Sequence, residues 1–222
     1  MRAVVIEILN LHVAIGLAPI LHDVALKLPG ATTAGLVGRN GAGKTTLMRA
    51  IMGLIPIQSG EIRFDGQDLQ KTPPYHRPRL GIGYMPEDRR LIPELTVEEN
   101  VLLPAWSTSA DDAAQRLDWV YAILPEVQAL RLRRAQALSG GQQKLVALAR
   151  ALTMGRRLLL LDEPFEGVAP VLARRLAEAI DRLKSEGLAI LLSESDYTHS
   201  ADLVSRLFVI ERGVVAERSP IT

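Results

Sequence analysis

The sequence predicts an α/β protein: a parallel sheet at the core, an antiparallel β segment ahead of it and a helical insertion within it. Three observations lead there. The first third of the chain consists of short apolar runs broken by turn residues. The middle third, from about Thr96 to Leu152, carries helical periodicity with almost no β signal. The last third alternates continuous apolar runs with an amphipathic stretch, the pattern of strands laid into a sheet covered on both faces.

Taken in order, "MRAVVIEILNLHVAIGLAPIL" faintly resembles a signal peptide. Glu7, Asn10 and His12 interrupt its apolar run and no small-residue cleavage site follows clearly, so it reads as the first strands. "TAGLVG" is a short apolar strand that runs into a glycine-rich stretch, and the helix after it carries Leu47, Ala50 and Ile51 on one face. "EIRFDG" ends in an Asp-Gly hairpin signal. Leu117, Val120, Tyr121 and Leu124, spaced i, i+3, i+4 and i+7, define an amphipathic helix that ends at Pro125. "LLLLD" (158–162) is a parallel strand. Pro170 opens a helix with Leu172, Leu176, Ile180 and Leu183 inward, and Gly187 closes it. "LAILLS" is the next strand, and "LFVIERGVV" turns at Arg212-Gly213.

The 222 residues allow one large domain or a domain with an inserted subdomain. With 48% hydrophobic and 23% charged residues the composition is that of an ordinary globular protein. A net charge of +1 gives no global field for nucleic acid or anionic lipid, so no nucleic-acid partner is expected. "RLRR" at 131–134, the one dense basic cluster, reads as a solvated face. The absence of cysteine excludes disulfides and thiol catalysis and fits a reducing compartment. No stretch approaches the roughly 18 to 20 apolar residues that span a bilayer, so work at a membrane requires a partner.

"GRNGAGKTT" (38–46) matches G-x-x-x-x-G-K-[ST] and lies between an apolar strand and a helix, the context that gives the motif its meaning. Its glycines let Gly38, Asn40, Gly41, Ala42 and Gly43 curl so that backbone N–H groups face an anion, with the helix N-terminus behind them. Lys44 is placed to reach β- and γ-phosphates. The Thr45 hydroxyl is placed to ligate Mg²⁺, with Thr46 beside it. Asp162 ends the buried strand "LLLLD", where it can hold Mg²⁺ through water. Glu163, the next residue, can polarise an attacking water as a general base.

"LSGGQQKLVALARAL" (138–152), placed just before "LLLLDEP", resembles the signature of the ATP-binding-cassette ATPases. The likeness covers nearly the whole chain with its motifs in the expected order. It implies a P-loop core of cassette type with an antiparallel β subdomain (approximately 1–87 and 153–222) and a helical subdomain (approximately 88–152). It further implies ATP and Mg²⁺, and head-to-tail pairing with a second cassette, identical or different. Ser139, Gly140, Gly141 and Gln142 of one cassette then close over the nucleotide held by the other. Serine Oγ and two glycine amides at a helix start make such an anion site physically sensible.

Within that family the chain resembles the ATPases of branched-chain amino-acid importers. "GIGYMPEDRRLIPELTVEEN" (81–100) is similar to their segment that couples to membrane subunits, with Glu87 in place of glutamine as a possible Mg²⁺ ligand, and "EGVAP" (166–170) is similar to their Gly-Leu-Ala-Pro. The implied partners are membrane permease subunits and, indirectly, a solute-binding protein. The implied place is peripheral, on the cytoplasmic face of the inner membrane. Leu91, Ile92 and Leu95, beside Arg89 and Arg90, are expected to be exposed for docking. Export instead of import, a non-transport cassette switch, and a small-molecule or nucleotide kinase stand as alternatives. The switch position after the acidic pair, usually histidine, falls on Ser195; His199 lies four residues on and does not match. The adenine-stacking position falls on Ile15, which offers apolar contact without a ring. Two readings of Ser195 stay open: a slow site whose signature completes a better site on the partner, or a neutral change with Glu163 sufficient alone.

Overall fold

The computed structural model describes residues 3–108, 110–196 and 200–219. Strands β1 (Val4–Ile15) and β2 (Ala18–Pro29) form a long antiparallel hairpin. Strand β3 (Thr33–Val37) leads into helix α1 (Lys44–Ile51), followed by β4 (Ser59–Phe64) and β5 (Gln67–Asp68) around the Asp65-Gly66 turn. After β6 (Ile82–Met85) come four helices: α2 (Val97–Thr108), α3 (Ala113–Ile123), α4 (Pro125–Ala129) and α5 (Gly140–Met154). The chain then runs through β7 (Leu158–Asp162), α6 (Pro170–Ser185), β8 (Ala189–Glu194), β9 (Arg206–Glu211) and β10 (Val214–Arg218).

Two sheets result. One is antiparallel, in the order β2-β1-β4-β5. The other runs β10-β9-β3-β8-β7-β6, parallel except for β10. The continuous apolar run of β7 is explained by its two covered faces. Leu158 and Leu160 enter a core shared with α1 and the antiparallel sheet, while Leu159 and Leu161 enter a second core shared with α5, α6 and the inserted helices. β8 splits likewise, with Leu191 on the first side and Ile190 and Leu192 on the second.

Two arginines, Arg77 buried and Arg116 half-buried, close helix ends. Arg77, 6% exposed, donates to the carbonyls of Ala50 and Ile51 at the end of α1 and to those of Leu69 and Thr72. Arg116 of α3 donates to the carbonyls of Leu152 and Gly155 at the end of α5 and lies 3.6 Å over the Trp119 ring, and burial lowers its pKa to about 10. Cations at carbonyl-rich helix ends also match the helix dipole.

Parallel register brings the carboxyl ends of β3, β6, β7 and β8 to one edge. Val37 pairs with Glu194, Asp162 with Ser193, and Met85 with Leu161. Crevices outside such strand ends are where open α/β sheets hold ligands.

Candidate functional site

The loop after β3 turns on glycine. A β-carbon at Gly38 would lie 2.3 Å from the Ile210 carbonyl oxygen, and Gly43 has a φ of +112°. Gly43 caps α1 without any side-chain cap, so the first-turn amides keep their donors for a ligand. Lys44 is drawn inward, its side chain 5% exposed. Its Nζ donates to the Gly38 carbonyl at 2.6 Å and to Ser195 Oγ at 3.0 Å, and it pairs with Glu163 Oε1 at 3.0 Å. One cavity of ≈ 440 Å³ is lined by this loop with Thr45, Thr46, Glu87 and Glu163, and by Ile20 from β2.

The two acids sit differently. Asp162 is fully buried; Ser193 donates to its Oδ1 at 2.7 Å and the Tyr84 hydroxyl to its Oδ2 at 3.4 Å. Glu163 reaches the cavity. Ser195 meets it twice, Oγ to Oε1 at 2.7 Å and N–H to Oε2 at 3.1 Å. Ser195 Oγ also lies 2.6 Å from Asn40 Oδ1. One hydroxyl has one proton. With that proton on the Glu163 carboxylate, the Asn40 amide turns its NH₂ toward Ser195 Oγ. Ser195 therefore touches the acid and the lysine directly.

Glu87 is exposed at the cavity. Burial raises its carboxyl pKa above the ordinary value, and Glu166, Asp162, Glu163 and Asp88 push in the same direction. The donors near the phosphate loop, a threonine hydroxyl and carboxylates, are the hard oxygens that Mg²⁺ prefers. Among the described residues no group of three acidic, histidine or cysteine side chains is poised on a metal.

Ser139 is the N-cap of α5. It accepts the Gln142 N–H at 3.3 Å, and Gln142 Oε1 accepts the Ser139 N–H at 3.0 Å, a complete capping box. Ser139, Gly140, Gly141 and Gln142 do not line the phosphate-loop cavity, and Ser139 and Gly140 are exposed. Ile15 stands 53% exposed at the end of β1, and Ile20 rather than Ile15 lines that cavity. His199 lies outside the described residues. Of the expected docking residues only Ile92 is exposed; Leu91 and Leu95 are half-buried. The reason is Asn100, fully buried, which accepts the Ile92 N–H and donates to the carbonyls of Ile92, Leu95 and Thr96, pinning the segment down.

Sequence reasoning marked Ser193 and Glu194 only as the polar end of the buried strand "LLSESD" and gave no role to either or to Lys144. Lys144 falls on the buried stripe of α5 with Leu148 and Ala151, at i, i+4 and i+7, the one sign that it points inward. Glu194 is 3% exposed, and its Oε1 has no hydrogen-bond partner among the described residues. Burial first, then Glu163 and Asp196, push its carboxyl from 4.5 up to about 8, against the pull of Lys144 and Lys44. The folded chain thus holds a proton that the unfolded chain loses between those values. Stability from this group is present below the lower value and is lost as pH rises to about 8. Thermal denaturation of wild type and Glu194→Gln from about pH 5 to 9 is expected to show the variant gaining on wild type through that window.

The comparisons agree with this geometry. The family described as "ABC transporter" matches residues 21–166. The chain is 37% identical over 193 residues to the high-affinity branched-chain amino acid transport ATP-binding protein BraG of Pseudomonas aeruginosa, covering 87% of this chain and 83% of BraG. It is 32% identical over 204 residues to the lipopolysaccharide export system ATP-binding protein LptB of Escherichia coli, covering 90% and 85%. A solved ATP-binding subunit of an ABC transporter superposes with a TM-score of 0.85 at 26% identity, covering 97% of this chain and 90% of that one. The chain belongs to the ABC transporter family, as one of its ATP-hydrolysing cassettes.

Proposed function

We propose that this chain energises a membrane importer of branched-chain amino acids or related small polar or organic-acid solutes. It does so as a peripheral subunit on the cytoplasmic face, paired with a second cassette. The observation that carries the ATPase part is the meeting of Ser195 with Lys44 and Glu163, both of which line the phosphate-loop cavity. The likeness to BraG supports import. The likeness to LptB supports export as the second reading.

In this scheme ATP phosphates enter the loop and take Lys44 away from Glu163. The freed carboxylate accepts a proton from the attacking water as the water oxygen bonds to the γ-phosphorus and ADP leaves. Thr45, Asp162 and Glu87 would hold Mg²⁺, which would supply charge neutralisation at the phosphates. Ser195 keeps the Glu163 carboxylate aimed, and Ser193 fixes Asp162 from behind. Ser139 to Gln142 cover the partner's nucleotide.

A groove of ≈ 590 Å³ supports a permease partner. Met52, Leu54, Tyr84, Leu103, Pro104 and Met154 line it, with Arg90 and Arg150 also on its walls. It receives the coupling segment through Tyr84, Pro86 and Arg90 rather than through Leu91 and Leu95. Among the described residues no helix is long and apolar enough to cross a membrane. Affinity capture from gently solubilised native membranes is expected to recover a multi-span permease. A second, different cassette would make the pair asymmetric, and this chain alone would make it symmetric. Co-purification with lipopolysaccharide-handling components would favour export. A soluble-only partner set, with a known transporter intact as control, would reject the transport reading.

A further inference from the structure

Glu163 has a backbone φ of +49°. That left-handed conformation is strained for a residue with a side chain, so its surroundings must hold it. Two buried side chains do, one on each side of the residue. Ser193 Oγ accepts the Glu163 N–H at 3.1 Å. Lys144 Nζ donates to the Glu163 carbonyl at 2.9 Å and also to the Glu166 carbonyl.

Lys144 is 3% exposed, and burial lowers its pKa. A buried ammonium is costly to desolvate, and here its recorded hydrogen bonds go to two carbonyls of a single loop. An apolar side chain would fill the same space more favourably, so the lysine points to a task of holding. The helix that supplies it is α5, whose N-cap is Ser139. The start of the same helix also packs closely on α6, which follows the Glu163 loop: a β-carbon at Gly141 would lie 2.5 Å from Leu172 Cδ2. Lys144 thus ties the signature helix to the loop carrying Glu163.

We propose that Lys144 is a positioning residue that couples the two nucleotide sites of the cassette pair. It ties the hydrolytic base of this chain's own site to the helix whose first residues serve the partner's nucleotide. The proposal rests on the reading of Glu163 as base and of Ser139 to Gln142 as facing a second cassette. Pressure on the signature when the pair closes moves α5, and Lys144 carries that movement into the Glu163 peptide. The base is then set only when its own chain's signature is engaged. A displacement near 1 Å of such a group is enough to change a rate by about 10²-fold.

The test is the ATPase activity of the full chain, in the assembly it purifies with, for wild type, Lys144→Met, Lys144→Gln and Glu163→Gln. Lys144→Met is expected to lower kcat about 10- to 100-fold and to leave KM for ATP within about threefold. Lys144→Gln keeps an N–H donor for the Glu163 carbonyl and is expected to recover part of the loss. A purely structural role would instead lower the melting temperature and the amount of active protein, with the same kcat per nucleotide-binding site. If Lys144→Met does not fold, the kcat of Lys144→Gln against wild type decides. A dead Glu163→Gln with Lys144 variants turning over at the wild-type rate overturns the tie alone. An active Glu163→Gln overturns the reading of the base on which the tie depends.

Discussion

Glu163→Gln is expected to slow ATP hydrolysis about 10²- to 10⁴-fold, the range for loss of a general base. The amide is nearly isosteric, so Ser195 keeps a partner at Oε1 and the loop keeps its clamps. What disappears is basicity, together with the ion pair to Lys44 at 3.0 Å and the second oxygen that accepts the Ser195 N–H. Lys44 and Glu163 are 5% and 9% exposed at their side chains, so this pair is poorly screened. Releasing the lysine favours phosphate, and ATP affinity is expected to hold or rise. Single-turnover kinetics with a fluorescent-nucleotide titration of the same preparation reads both effects. A variant that keeps more than about a tenth of the wild-type rate would place the base elsewhere.

Arg77→Met is expected to destabilise the fold by about 2–4 kcal/mol without touching the chemistry. Met roughly fills the space of the arginine stem but donates nothing. The carbonyls of Ala50 and Leu69 retain the N–H groups of Gly53 and Thr72, whereas those of Ile51 and Thr72 lose the guanidinium. Each buried acceptor left without a donor costs about 1–3 kcal/mol. For a chain of this length, the melting temperature should fall by roughly 5–15 °C. Urea unfolding of the nucleotide-free protein measures the difference. A loss under about 1 kcal/mol would mean that water replaces the guanidinium. Because the affected carbonyls end α1 and the phosphate loop begins it, weaker nucleotide binding is expected to accompany the lost stability.

The parallel sheet was legible because both faces of its central strands are covered, which leaves uninterrupted runs such as Leu158 to Leu161. The phosphate loop was legible because a backbone curled around an anion needs residues such as Gly43, and few other sequences meet that need. Lys144, Arg77 and Ser193 were not legible for one shared reason. Lys144 and Arg77 donate to backbone carbonyls, and Ser193 accepts a backbone N–H while donating to the acid across the strand pair. Apart from Asp162, these partners are backbone groups, which leave no residue-type signature in the sequence. The exposure of Leu91 and Leu95 failed for a tertiary reason, the four hydrogen bonds that Asn100 makes beneath them. Ser195, the residue expected at the switch position, has partners that the sequence did not indicate: the shortness of serine brings Glu163 and Lys44 within direct reach.

The Lys44–Glu163 pair also bears on what the empty cassette does with its own product. Orthophosphate arriving at the loop finds no bare ammonium; it meets a lysine already neutralised by an internal counter-ion at 3.0 Å. Displacing that carboxylate takes a ligand anchored at several points along the loop, as the triphosphate is through its α- and β-groups. The internal counter-ion thus weakens the pull of Lys44 on a small free anion and favours a ligand held at several points along the loop.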